Sequence, residues 1–196
     1  MLASAQFMVK NKIRKSLLEQ GHILSSKEAA KLNNKIQNNI LNSFDLSKKK
    51  NVLLYFPYKK EVTLELIKSE LNKYSHDIYM PKIFPRNQLR FNLCTNGATL
   101  TKNKFGIPEL DNTHYLDPNL FDVMFIPFVG VDADGCRIGY GGGYFDRALS
   151  NFKKHERKTT IIGLGYDYQI LDKKISEPHD LKYDLVATES RILSYS

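Results

Sequence analysis

The spacing of apolar residues in this chain changes at about residue 50. Before that point it is helical. Val9, Ile13 and Leu17 recur every four residues within AQFMVKNKIRKSLLEQ and predict the stripe of a first helix, which Gly21 would end. Lys10 and Arg14 lie one turn apart on a neighbouring face. Ser25 and Glu28 have capping-box spacing and open a second predicted helix through about Phe44. After residue 50 the apolar residues bunch into short runs. NVLLYF (51–56) reads as a buried strand and TLELIKSELNKY (63–74) as a helix. DIYMP (77–81) and LRFNLC (89–94) read as strands separated by a proline-punctuated loop. FDVMFIPF (121–128) is the strongest apolar run and predicts a central strand, followed by VGVDADG, a glycine-rich loop and a helix from about Gly143 to Phe152. TTIIGLG (159–165) and DLVATES (184–190) supply two more strands. Strands alternating with helices predict an α/β fold, a three-layer α/β/α sandwich around a largely parallel (mixed) sheet with the two N-terminal helices packed on its faces. No repeat or linker divides the chain, so residues 1–196 read as a single domain.

Composition narrows the function classes. With 196 residues, 42% of them hydrophobic, the chain is long enough to bury a sizeable core. The formal net charge of +8 is scattered in short clusters such as Lys48 to Lys50 and Lys173-Lys174. A scattered excess fits solubility or an anionic small-molecule ligand. There is no aromatic-and-basic strand signature and no helix-turn-helix pattern, so no nucleic-acid partner is expected. Cys94 and Cys136 form neither a disulfide framework nor a zinc spacing and read as inert thiols in a reducing compartment. No apolar run approaches the roughly 18 residues of a membrane span, so the expectation is a cytoplasmic monomer with no membrane partner. The first acid is Glu19, which leaves a mitochondrial presequence open beside the simpler reading of an amphipathic helix.

The densest chemistry lies in GCRIGYGGGYFDRAL (135–149), where Gly139, Gly141, Gly142 and Gly143 run into a predicted helix. Strand, glycine loop and helix form an arrangement that binds phosphate, because glycine lets backbone N–H groups approach an anion closely. No Gly-Lys-Ser/Thr follows, so this is not a Walker A loop; Tyr144 occupies the place of a third glycine, so it is not a dinucleotide fingerprint. Asp146 either complements the helix dipole or, beside a phosphate cradle, holds a cation such as magnesium between itself and the phosphate oxygens.

VDADGCRIGYGGGYFDRAL, after a strand ending in FIP, resembles the signature of the 5-formyltetrahydrofolate cyclo-ligase family, also called 5,10-methenyltetrahydrofolate synthetases. The resemblance extends over nearly the whole chain, through the basic N-terminal helix, YFPYKKEV, MPKI, FGIPEL and EPHDLKYDLVATES. It implies a three-layer α/β fold and an ATP-driven ring closure of 5-formyltetrahydrofolate, with magnesium as cofactor. By motif position it implies that Lys10 and Arg14 contact ATP, together with Arg137, Ile138, Gly139, Tyr140, Gly141, Gly142, Gly143, Tyr144 and Phe145. Tyr140 to Tyr144 would also line the folate side, with Phe56 and Glu61 contacting the folate. Asp146 and Asp180 would hold magnesium, and Arg137, Tyr144 and Asp146 would stand at the reacting centre.

Each assignment has a plainer rival. Lys10 and Arg14 read also as solvated helix charges, Glu61 as a helix-start acid, Phe56 as core, Tyr144 as packing and Asp180 as a turn acid with Asp184 as the alternative ligand. His179 has no second histidine nearby and reads as a surface-loop residue. The chain departs from the family pattern at Ile138 for leucine, Phe145 for a second tyrosine, Leu110 for proline, and Gly142 where some members have lysine.

Overall fold

The computed structural model describes residues 2–95, 97–152, 159–177 and 180–195, with side chains from Phe7 onward. Its elements, in chain order, begin with two helices, α1 (Leu2–Ile23) and α2 (Ser26–Ser43). Strand β1 (Asn51–Leu53), helix α3 (Glu65–Leu71) and the hairpin strands β2 (Asp77–Phe84) and β3 (Gln88–Leu93) follow. Then come β4 (Leu100–Lys102), β5 (Pro108–Leu110), β6 (Tyr115–Leu116) and β7 (Val123–Phe125). The glycine region comprises β8 (Gly130–Val131), β9 (Arg137–Ile138) and α4 (Tyr144–Ala148). The last strands are β10 (Thr160–Leu164), β11 (Leu185–Ala187) and β12 (Ile192–Ser194).

Eight strands form one sheet in the order β12-β11-β10-β7-β1-β2-β3-β6. From β11 to β2 every pairing is parallel, and antiparallel strands finish both edges. The predicted mixed, largely parallel sheet is therefore present, with the 121–128 run at its centre. Side chains alternate across it. Val52, Val123, Phe125, Ile162 and Leu164 join Ile36, Ile40, Ile67 and Leu71 of α2 and α3 in one core. Leu53, Met124, Ile126, Ile161 and Val186 face the other way and pack with Phe91, Phe145 and Leu149. Strand order moves outward from β1 to β2, and in the opposite direction from β7 to β10 and β11. The topological switch point thus lies between β1 and β7, where ligands of open α/β sheets bind beyond the carboxyl ends of the strands.

Local predictions met mixed outcomes. Ser25 caps α2 with its hydroxyl on the Glu28 N–H, and the Glu28 carboxylate returns to Ser25, as the spacing predicted. Gly21 does not end α1, which continues to Ile23; Gly21 is a point of close packing instead, with the Tyr168 hydroxyl 2.8 Å from where a Cβ would stand. The expected stripe is rotated. Val9 is exposed, and the inward face carries Lys10 and Leu17 with Arg14 partly covered. α3 and α4 are shorter than predicted, and β4, β5, β6, β8, β9 and β12 were not anticipated. His179 lies outside the described residues.

Behind the central strands, Phe128 packs directly on Gly165 and Gly163. A Cβ on Gly165 would overlap the Phe128 ring and come within 2.8 Å of the Gln169 amide oxygen. Gly165→Ala should therefore cost about 1–3 kcal/mol of stability by overpacking. Urea denaturation reads it as a lowered midpoint at unchanged slope; an unshifted midpoint would mean that Phe128 has room to move.

Candidate active site

The chain leaves the carboxyl end of β7 through Pro127 and Val129 and folds back as the β8–β9 hairpin, pairing Gly130 with Ile138 and Val131 with Arg137. Asp132 holds the turn. Its carboxylate is fully buried and accepts N–H groups from Asp134, Cys136, Ile175 and Ser176 at 2.9–3.0 Å. Burial opposes its ionisation, but those donors outweigh burial and hold its pKa below the ordinary aspartate value. One anion thus fastens the hairpin to the 175–177 segment.

Arg137 then points back under the glycine loop. Its Nε donates to the Pro127 carbonyl at 2.7 Å, its Nη1 lies 3.4 Å from Asp146, and its guanidinium covers the Phe145 ring at 5.3 Å. A Cβ at residue 139 would stand 2.5 Å from that guanidinium, so glycine is required by the close approach. Gly141 and Gly143 have φ of +96° and +62°, a left-handed path that glycine follows without strain. Among the described residues, no acceptor receives the N–H groups of Tyr140, Gly141, Gly142 or Gly143. α4 has only five residues, so those loop amides and the nearby cations dominate any helix-dipole contribution.

Residues from both ends of the chain complete the site. Arg14 on α1 donates from Nε to the Gly139 carbonyl at 2.8 Å and lies against Gly141. Lys10, one turn earlier and 6% exposed, pairs with Asp180 at 2.6 Å and Glu177 at 2.9 Å. Burial disfavours its charge, but the hydrogen bonds and charges of Asp180 and Glu177 prevail and raise its pKa. Lys10, Arg14, Arg137, Ile138, Gly139, Gly141, Gly143, Asp146 and Asp180 all line one cavity of about 1200 Å³.

The glycine loop is a wall with two sides. Gly139, Gly141 and Gly143 face the large cavity, while Tyr140 faces a small cleft shared with Glu61, Lys59, Tyr168 and Gln169. Tyr140 packs edge-on against Tyr58 at 5.3 Å, which joins the loop after β1 to the glycine loop across the switch point. Glu61 accepts the Tyr58 N–H at 2.8 Å. Burial pushes its pKa to about 7 despite that bond and the attraction of Arg137.

For a metal, Asp146 has the fitting feature. Its Oδ2 faces Arg137, while its Oδ1 is buried with no hydrogen-bond partner among the described residues. No group of three or more His, Cys, Asp or Glu side chains among them is arranged around a metal. One or two carboxylates plus phosphate oxygens is the set that magnesium ordinarily uses with nucleotides. Asp180 is engaged by Lys10 and by the Glu177 N–H at 2.7 Å. Asp184, the alternative ligand, accepts the Ile161 N–H and belongs to the sheet.

The sequence model of the 5-formyltetrahydrofolate cyclo-ligase family matches residues 6–189. The chain belongs to that family. The family is one of ligases, and the curated relatives named 5-formyltetrahydrofolate cyclo-ligase include the Mycoplasma pneumoniae protein, 32% identical over 186 residues, covering 93% of this chain and 99% of that one. The Haemophilus influenzae relative is 31% identical over 146 residues, 72% and 76% of the two chains. The solved 5,10-methenyltetrahydrofolate synthetase of Aquifex aeolicus superposes with a TM-score of 0.80 at 28% identity, covering 95% of this chain and 93% of that one.

Several side chains of this cyclo-ligase-family chain sit differently from expectation. Phe145 is buried, stacked on Phe91 at 6.2 Å beneath Arg137, so its side chain supports the loop from the core and does not line the cavity. Phe56 is half-buried against the α2–α3 core. Tyr144 turns away from both clefts, its hydroxyl donating to Asn87 at 3.2 Å. Asp132 and Glu177 were missed. The only local signal for Asp132 is its place ahead of an Asp-Gly turn, and Glu177 has none, because its partner is 167 residues away.

Glu61 offers a stability test. The unfolded chain releases this proton near pH 4.5 and the folded one near 7. Between those values the unfolded state deprotonates first, so the group's contribution to stability declines as pH rises and stays at its lowest above 7. Glu61→Gln should therefore match the parent's stability at pH 4 and exceed it at pH 8, measured as melting temperature across the range. An equal or larger gain at pH 4 would overturn the assignment.

Proposed function

We propose that this chain is a single-domain enzyme that cyclises 5-formyltetrahydrofolate to 5,10-methenyltetrahydrofolate with release of ADP and phosphate from ATP. The observation that carries this reading is the cavity where the glycine-loop amides, Arg14, Arg137 and Lys10 converge beside the free Oδ1 of Asp146. Three cations and unfilled N–H groups suit a polyphosphate, and a volume of about 1200 Å³ leaves ample room for a nucleotide.

The chemistry is consistent with that frame. The formyl oxygen on N5 is a poor leaving group until it is phosphorylated. It attacks the γ-phosphorus and displaces ADP; N10 then attacks the activated carbon, loses its proton and expels phosphate. The protein's task is positioning and charge neutralisation. Glycine-loop amides hold the phosphates, and Arg14 and Arg137 offset charge as it shifts to the leaving oxygen. Lys10 is partly committed to Glu177 and Asp180, so phosphate oxygens compete for it. Asp146, with Asp180, would hold magnesium, which supplies neutralisation of phosphate charge. On the other side of the wall, Glu61 and Tyr140 line a cleft of about 20 Å³ that would have to widen to receive the pterin, the ionised carboxylate then accepting its N–H groups. The location beyond the strand ends of an α/β sheet supports this division. The folate side carries no carboxylate besides Glu61 among the residues of the small cleft.

Incubation with MgATP and 5-formyltetrahydrofolate should produce methenyl absorbance and ADP in equal amounts. ADP without methenyl product would assign a different ATP-dependent reaction, and neither would sink the enzymatic reading. Asp146→Asn should depress turnover and weaken MgATP binding by titration calorimetry; undiminished activity at limiting magnesium would return Asp146 to the role of a partner for Arg137.

Arg14→Ala should raise the ATP KM more than the folate KM, by about 1.5–3 kcal/mol for a charge-assisted hydrogen bond. Arg14→Lys should recover part of the loss, because an ammonium cannot reproduce the guanidinium fork. An unchanged ATP KM would reduce α1 to packing.

A further inference from the structure

Between β10 and β11 the chain runs along the β8–β9 hairpin and is tied to it at two points. The Leu171 N–H donates to the Val131 carbonyl at 2.9 Å, and the Arg137 N–H donates to the Leu181 carbonyl at 2.7 Å. Between those ties lie Glu177 and Asp180, the two carboxylates that hold Lys10. Three consecutive N–H groups of this segment are divided between two anions. Ile175 and Ser176 donate to Oδ2 of Asp132 at 3.0 and 2.9 Å, and Glu177 donates to Oδ2 of Asp180 at 2.7 Å. Asp132 thus acts one residue away from the bond that places Asp180.

The two oxygens of Asp132 serve different segments. Oδ1 accepts the N–H groups of Asp134 and Cys136 and closes the hairpin turn, a task that an asparagine oxygen would perform equally well. Oδ2 has the 175 and 176 amides to satisfy, and there an asparagine would present a second donor to two donors. No lysine or arginine pairs with Asp132 among the described residues, so N–H groups alone offset the burial of its charge. The residue does not line the large cavity.

We infer that Asp132 is a positioning residue for the metal-bound nucleotide: through the 175–177 backbone it fixes where the Asp180 carboxylate stands, and so sets how strongly magnesium favours nucleotide binding. The inference rests on the reading of Asp146 and Asp180 as the magnesium ligands and adds to it a residue outside the cavity. Lys10 supplies the sign. If the segment is released, Asp180 loses its place beside the metal, while the grip of Asp180 and Glu177 on Lys10 loosens. Lys10 is then freer for phosphate oxygens. Neutralising Asp132 therefore weakens the magnesium-bound nucleotide and spares the bare one. A general loosening of the fold would weaken both.

The test is titration calorimetry of the full-length protein with ATP, no folate being present, in magnesium and in a chelator. The parent should bind ATP more tightly with magnesium. In Asp132→Asn the MgATP Kd should rise roughly tenfold, the lower end of what residues orienting metal ligands contribute, and the metal-free Kd should not rise. Amide hydrogen exchange supplies a second measurement. The Ile175 and Ser176 amides should be protected in the parent and exchange faster in Asp132→Asn, while those of Asp134 and Cys136 keep their protection. The parent's exchange decides the point even if the variant does not fold. Unprotected 175 and 176 amides in the parent, a variant that retains the parent's magnesium preference, or equal weakening of both nucleotide forms would each overturn the inference and leave the cyclo-ligase reading intact. A parent whose ATP affinity is indifferent to magnesium would instead overturn the magnesium reading of Asp180 and this inference with it.

Discussion

The buried guanidinium of Arg137 is the interaction on which the site depends. It ties the carbonyl at the end of the central strand, the aromatic floor given by Phe145, and the first turn of α4 through Asp146 into one unit. A cation there without partners would be untenable in so dry a place. Its partners leave part of its charge uncompensated, since Asp146 approaches only to 3.4 Å and keeps its other oxygen unbonded. Gly139 follows from this directly: the guanidinium takes the space of its side chain, and the chain above it must be bare backbone. The first glycine of the motif is, physically, the outline of an arginine, while Gly141 and Gly143 answer to their left-handed backbone.

The second organising feature is the crossing between β1 and β7, where the loops after both strands lean on each other through Tyr58 and Tyr140. Lys59, held with φ of 55°, lies over both rings at 5.0 and 5.5 Å. The same loop is latched to the end of α1 by Lys60, which donates to the Leu24 carbonyl at 3.2 Å. α1 is therefore fixed at its C-terminal end by Lys60 and at its middle by its own Lys10 and Arg14. A helix anchored so firmly through polar groups does not need a continuous apolar stripe.

That explains which parts of the molecule could be read in its sequence. Strands buried on both faces announce themselves as unbroken apolar runs, and 121–128 and 159–165 fall on β7 and β10. Ser25 and Glu28 carry a local signal because both partners of the cap lie within one turn. The two-residue strands β6, β8 and β9 are too short for any periodicity to register. The orientation of α1 was misread because Lys10 and Arg14 find their partners 125 to 170 residues away, and local spacing then favours Val9 as the buried position. Arg14, Arg137, Asp146 and Asp180, which motif position named, line one cavity. Motif position did not reveal that Lys10 and Asp180 grip each other, nor that the loop separates Gly139, Gly141 and Gly143 from Tyr140.

The bond between Lys10 and Asp180 spans 170 residues, and its neighbour to Glu177 spans 167. Contacts of such separation carry the largest loop-closure entropy and form late. During synthesis α1 emerges well before its carboxylate anchors, which lie 167 and 170 residues further along. Until then the inward face of α1 presents Lys10 without its carboxylates and Arg14 with only the neighbouring Asn11 amide, a polar face that favours solvent. The residues that neutralise charge in the finished cavity thus also protect the unfinished chain from premature burial of its first helix.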